Sequence, residues 1–300
     1  MDIAVTGSHG LIGTALSKAL RSDGHRVVPI VRSEGERDTI AWDPAVGTID
    51  QGDLEGIDAV VHLAGEGIAS GPWTDARRAR IHDSRSDGTV LISNALATLQ
   101  QKPSVFVSGS AIGIYGDRGD EVLTESSTPG DDFLAKVCRD WEAPTEAASA
   151  AGIRTVLIRT GIVLDETGGA LKAQLPAFKV GLGAKAGRGT QWLSWISLQD
   201  EVAAIRHAID TASVQGPVNL TAPNPVTNAE FTRAVGRALH RPTLLTIPSV
   251  AQRLPFGIGD LVGSLLFSSA RVRPTVLDDT GFSFAHTDID AALSDILGSR

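Results

Sequence analysis

The feature that most constrains this chain is Thr6-Gly7-Ser8-His9-Gly10-Leu11-Ile12-Gly13, which follows directly on the apolar run Ile3-Ala4-Val5. A short buried strand that ends in spaced glycines and opens a helix lets the backbone approach a pyrophosphate, with the helix N-terminus facing its charge. Leu11, Ala15, Leu16, Ala19 and Leu20 recur at helical spacing, Gly24 ends the segment, and Val27 to Val31 reads as a second strand. The plainer alternative is an ordinary glycine-rich turn, but strand, glycines and helix fall in register for a nucleotide site.

Further strand-like runs lie at Ala59 to Ala64, Val105 to Val107, Thr155 to Ile158 and Val218 to Leu220, separated by helix-compatible stretches. This alternation predicts an α/β fold, a doubly wound parallel Rossmann sheet, followed by a smaller, mostly helical C-terminal substrate lobe. The expected division is residues 1–165 for the nucleotide domain, with 197–222 returning to it, and 166–196 plus 223–300 for the lobe. Ligands of such sheets bind beyond the carboxyl ends of the strands, so Gly7 to Gly13, Arg32, Gly65 to Ile68, Ser108 to Tyr115 and Thr160 to Val163 should converge on one crevice.

Charge and composition narrow the partners. Lys+Arg 27 against Asp+Glu 35 gives a net charge of −8 without a basic run, which argues against nucleic acid or an anionic membrane and for a small-molecule substrate. No apolar stretch is long enough to span a bilayer, the chain starts on a strand, and a single cysteine, Cys138, excludes an internal disulfide; a cytoplasmic protein is expected. The seven histidines are dispersed, so no metal is expected.

Several segments together resemble the short-chain dehydrogenase/reductase superfamily, its extended, epimerase-like branch, and within that an atypical epimerase family subgroup. The turn at Thr6 to Gly13, His62-Leu63-Ala64-Gly65, Ser110 with Ile114-Tyr115-Gly116, and Ile158-Arg159-Thr160-Gly161 carry the likeness to the branch. Gly65-Glu66-Gly67-Ile68, Trp73, Ser84-Arg85, Trp141-Glu142, Ser194-Trp195-Ile196 and Gly216 to Pro223 carry the likeness to the subgroup. The resemblance implies cofactor contacts from Gly7, Ser8, His9, Gly10, Leu11, Ile12, Gly13, Leu63, Ala64, Gly65, Glu66, Arg85, Ser108, Thr160, Gly161 and Ile162. It implies an epimerase or reductase acting on a small polar, sugar-like substrate.

Two departures from that pattern matter. The superfamily's Tyr-x-x-x-Lys pair is absent: Tyr115 is the only tyrosine and Gly119 follows it four residues on, while alignment on Trp141-Glu142 puts Leu134 and Cys138 at the pair's positions and alignment on Lys136 puts Asp132 in place of the tyrosine. In the segment Gly187 to Ile196, Leu193 stands where the branch carries an arginine for substrate phosphates. Acid-base work is then expected from Ser110, Glu66 or Tyr115, with Arg85 and Glu142 also weighed. Glu66 reads equally as a helix-start carboxylate and Ser110 as a close-packed loop residue.

The second strand ends in Val31-Arg32-Ser33 rather than in an acid. A cation and a hydroxyl there suit a ribose 2′-phosphate, so NADP(H) is the expected cofactor, the alternative being that Arg32 is a solvated strand-end charge. A different class of function, a non-catalytic NADP(H)-binding regulator that uses the second lobe for partners, is also compatible with the missing pair. The segment Leu254 to Arg273 is apolar and broken by glycines; it serves to close over substrate, to make a homodimer contact, or to pack within its lobe.

Overall fold

The computed structural model describes residues 1–32 and 38–298. Eight strands form one sheet, in the spatial order Gly216–Leu220, Arg154–Thr160, Val105–Ala111, Ala59–His62, Asp2–Thr6, Arg26–Val31, Ile40–Asp43 and Thr48–Ile49. All neighbours run parallel except the last pair, which is antiparallel. The order reverses on either side of Asp2–Thr6, which creates the crevice that a doubly wound sheet offers to a ligand. The predicted α/β class holds, and the predicted strands appear, most with their ends extended, whereas the run Ala59 to Ala64 stops at His62.

Both faces of this sheet are buried, and strand periodicity decides which residue goes where. Ile3, Val5, Val61, Val107, Val156 and Ile158 pack on one side against Leu16 and Leu20 of the helix Leu11–Ser22 and against Ala204, Ile205 and Ala208 of the helix Leu198–Asp210. Ala4, Val28, Ile30, Val60 and Phe106 pack on the other side against Ile92, Ala95 and Leu96 of the long helix Asp75–Thr98. A third cluster, with Leu171, Leu175, Phe178, Trp195, Phe231, Val235 and Leu293, packs together the helices Gly169–Lys179, Asn228–Leu239 and Ile289–Gly298. There Thr227 and Glu230, three residues apart, form a capping box: each caps the other's amide at the start of the helix Asn228–Leu239.

Arg154 fastens the helix Leu198–Asp210 to the sheet edge. Its guanidinium donates to the carbonyls of Ala208, Ile209 and Val214 at 2.7–2.8 Å, satisfying acceptors that a helix end leaves open. Among the described residues no helix is long and apolar enough to cross a membrane. Replacing Arg154 by alanine should cost about 2 kcal/mol of stability, the scale of hydrogen bonds from a charged donor, read as a lowered midpoint in urea unfolding.

Candidate functional site

Thr6 closes the first strand onto its neighbour: its Oγ1 accepts the amides of Leu63 and Ala64 at 3.0 and 3.1 Å and contacts His62 Nδ1 at 2.8 Å. The next residue, Gly7, has φ +65°, and a Cβ there would lie 2.8 Å from the Leu63 backbone. A Cβ on Gly13 would lie 2.2 Å from the Gly7 carbonyl. Only glycine fits at either point, and the fit brings the turn against the helix start. The helix Leu11–Ser22 has no side-chain cap at Gly10 and no acid in its first turn, so the amides of its first turn are left for an external acceptor.

The other expected cofactor residues gather at the same edge of the sheet. Leu63, Ala64, Gly65 and Glu66 follow the strand Ala59–His62, and Thr160, Gly161 and Ile162 follow or end Arg154–Thr160. Ser8 is buried, while His9 and Gly10 are exposed on the turn; Arg32 is exposed at the end of Arg26–Val31, and Ser33 lies outside the described residues. Arg85 reaches back from its helix, donating to the Glu66 and Ile81 carbonyls at 2.9 and 3.0 Å and stacking 4.8 Å over Trp141. Ser108 differs from the expectation: it is wholly buried within its strand, its hydroxyl without a partner, so it does not reach the crevice.

The three expected catalytic groups are not brought together. Glu66 pairs with Arg77 at 3.0 Å on the partly exposed rim. Ser110 is buried and donates to Glu142 Oε1 at 2.6 Å. Glu142 also receives both Nε and Nη2 of Arg159 at 2.9 Å. Burial opposes the Arg159 charge, but the hydrogen bonds and charge of Glu142 outweigh it and hold the guanidinium above its ordinary pKa. Tyr115 is buried too: its hydroxyl donates to Asn219 Oδ1 at 2.7 Å and accepts from Arg159 Nη1 at 3.0 Å, and burial raises its pKa. The network runs on through Glu125, which accepts the amides of Asn219 and Val276 and the Thr275 hydroxyl. Ser110 and Tyr115 thus join one hydrogen-bonded network that runs from the sheet to the C-terminal segment.

Beside this network, at the carboxyl ends of Val105–Ala111 and Arg154–Thr160, lies a cavity of about 210 Å³. Ile112, Leu134, Val137, Cys138 and Trp141 line one side, with Leu193, Leu265 and Leu266 on the other. The apolar segment after Leu254 therefore forms part of the cavity wall, through the turn Gly263–Phe267. Trp192 faces the cavity, whereas Trp195 is core and Trp73 packs on Phe133. Leu134 and Cys138, at the positions of the superfamily's missing pair, both face inward, and burial pushes the Cys138 thiol up to about 12.

One group at this site escaped the sequence reading. Glu201, in the first turn of Leu198–Asp210, is fully buried; its Oε1 accepts from Thr160 Oγ1 at 2.8 Å and its Oε2 has no partner. An acid in a first helical turn ordinarily reads as solvated, yet Glu201 falls on the apolar stripe of Ala204, Ile205 and Ala208, the one signal that marks it as buried.

The family models agree with this architecture. The profile of the NAD dependent epimerase/dehydratase family matches residues 3–220, and a domain of unknown function matches residues 247–296. The chain belongs to the NAD-dependent epimerase/dehydratase family. An epimerase family protein of Mycobacterium tuberculosis is 45% identical over 292 residues, 97% of this chain and 96% of that protein. The crystal structure of the human epimerase family protein SDR39U1 with NADPH superposes with a TM-score of 0.91 at 32% identity, covering 100% of both chains. A nucleoside-diphosphate sugar epimerase from Corynebacterium glutamicum gives 0.81 at 39% identity, over 99% of this chain and 58% of that one.

Two outcomes follow from the buried groups. Burial pushes the Glu201 carboxyl up from 4.5 to about 8, against the smaller lowering by Thr160. A carboxyl with a raised folded-state pKa favours folding most at low pH, and that contribution is lost as pH rises through the folded value. Wild type should therefore lose thermal stability relative to Glu201→Gln between about pH 5 and pH 9, measured by calorimetry across that range. Tyr115→Phe should cost about 1–3 kcal/mol in denaturant, since Asn219 and Arg159 each lose a buried partner.

Proposed function

We infer that this chain binds NADP(H) along the Gly7 to Gly13 turn and acts as a reductase, or as an epimerase through transient oxidation, on a small compound that fills the apolar cavity. The observation that carries this reading is the placement of that cavity at the carboxyl ends of the strands Val105–Ala111 and Arg154–Thr160, next to the turn's side of the switch point. When bound, the reduced cofactor supplies a hydride to a carbonyl carbon. The chain's own residues fit it: Gly7 and Gly13 leave room that any Cβ would fill, the uncapped helix start offers amides to the pyrophosphate, and Arg32 offers a cation to a 2′-phosphate. The human relative, at 32% identity, is a structure with NADPH, which supports the phosphorylated cofactor.

The lining supports a different substrate body from the sugar-like one expected from the sequence. Leu134, Val137, Cys138, Trp141, Leu193, Leu265 and Leu266 offer an apolar or aromatic body contact area and offer hydroxyl groups little to bond. An aryl or branched alkyl ketone or aldehyde is the class that this wall fits. Arg85 and Trp141 close the cavity's inner side, keeping water from the reacting carbonyl. The regulator reading draws support from one observation, the engagement of Ser110 and Tyr115 in the internal network.

Titration of NADPH and NADH by calorimetry should show tighter binding of NADPH, with the preference falling by about tenfold or more in Arg32→Ala, the worth of one charge-assisted contact. Single-turnover oxidation of bound NADPH should then proceed with acetophenone or benzaldehyde, whereas UDP-glucose, an alcohol at the reacting carbon, should leave bound NADP+ unreduced. Binding without discharge by any carbonyl would favour the regulator, and reduction of bound NADP+ by UDP-glucose would restore the sugar.

A further inference from the structure

Reduction of a carbonyl needs a proton at oxygen as well as a hydride at carbon, and with Leu134 and Cys138 on the wall no phenol faces this cavity to give one. The remaining polar groups of the lining differ in what stands behind them. Ser194 is used up, donating to the Ala270 carbonyl at 2.8 Å and accepting the Val272 amide at 2.9 Å. Asp132 caps the helix Phe133–Glu142 by accepting the Ala135 amide at 2.8 Å. Thr160 alone among the cavity's described hydroxyls has a carboxyl at its back, Glu201 at 2.8 Å.

The strand geometry explains the pairing. Val156, Ile158 and Thr160 alternate onto the face covered by Leu198–Asp210, and Thr160, last on the strand, reaches both the helix start and the cavity. Glu201 is 0% exposed, and its second oxygen is an orphan, an arrangement costly for a carboxylate and cheaper for a neutral acid. Burial raises its pKa and the Thr160 hydroxyl lowers it by less. Its neighbour Asp200 turns elsewhere, to Ser197 Oγ and the amides of Ala285 and His286. A threonine hydroxyl can give one proton while accepting another, so rotation about Cβ–Oγ lets Thr160 donate into the cavity and accept from a protonated Glu201.

We propose that Thr160 is the catalytic hydroxyl of this cavity and Glu201 the positioning residue that holds its replacement proton, a relay standing in for the absent tyrosine. The proposal rests on the carbonyl-reducing reading above. As the carbonyl carbon gains a hydride with its electron pair from NADPH, the C=O π pair moves onto oxygen. The Thr160 O–H bond breaks as the alcohol O–H forms, and the Glu201 O–H bond breaks as the Thr160 hydroxyl is restored, leaving Glu201 as the carboxylate. Once the alcohol and the oxidised cofactor leave, water in the cavity returns the proton to Glu201 through the same hydroxyl.

The relay makes a claim about proton exchange that needs no substrate. Infrared difference spectra between wild type and Glu201→Gln isolate the Glu201 carboxyl band, with circular dichroism confirming that each variant folds. At pH 7 the band should be that of a protonated acid, and transfer to D2O should shift it at least about tenfold more slowly in Thr160→Val than in wild type, with Thr160→Ser restoring the rate. With NADPH and acetophenone, single-turnover oxidation should fall about a hundredfold or more in Thr160→Val, the scale of a lost general acid, and recover in Thr160→Ser. An ionised Glu201 at pH 7, or equal exchange in wild type and Thr160→Val, overturns the relay. Failure of wild type to bind NADPH sinks the functional reading instead, and the exchange rates still decide the relay.

Discussion

The junction between the first turn and the strand Ala59–His62 sets the position of everything at the carboxyl edge of the sheet. Thr6 Oγ1 accepts two amides there, so its single proton goes to His62 Nδ1, and the network assigns the imidazole proton to Nε2. Burial lowers the His62 pKa to about 4, so this ring is neutral and the knot carries no charge. The absence of a Cβ at Gly7 then lets the turn lie against Leu63 and Ala64, and the absence of one at Gly13 lets the helix start close on the turn. These contacts make a rigid cradle out of backbone, which can receive a pyrophosphate without reorganising.

Beyond the cradle, two polar systems divide the site. On one side Glu142 and Arg159, with Ser110, Tyr115, Asn219 and Glu125, form a satisfied network in which each charge has its partner. Such a network holds its members to one another in a low-dielectric interior. On the other side Thr160 and Glu201 are incomplete: one carboxyl oxygen has no partner, and the threonine in front of it is a lining residue of the cavity. Unfinished polar groups beside a cavity are where chemistry is to be sought.

How much of this was legible in the sequence follows from how local each signal is. The turn, its helix and the parallel strands were readable because apolar periodicity and glycine spacing are local, and the capping box at Thr227 and Glu230 is local too. The lost tyrosine–lysine pair was readable as well, since it is an absence at fixed spacing. The fate of Ser110 and Tyr115 was not, because their partners Glu142 and Asn219 are 32 and 104 residues away. The meeting of Leu134 and Cys138 with Leu265 and Leu266 was not legible for the same reason, since it arises only through the fold. Glu201 stood between the two, hidden by its place in a first helical turn and betrayed by the stripe it shares with Ala204 and Ala208.

The central claim is that the cradle and the cavity form one continuous site, with the reacting end of the cofactor directed at Thr160. A crystal structure of the NADPH complex tests it most directly. The account predicts the pyrophosphate on the amides of Leu11 and Ile12, the 2′-phosphate beside Arg32, and the nicotinamide C4 facing the cavity between Thr160 and Leu134. A nicotinamide turned away from that cavity, or a cofactor that leaves the Gly7 to Gly13 turn untouched, would contradict it.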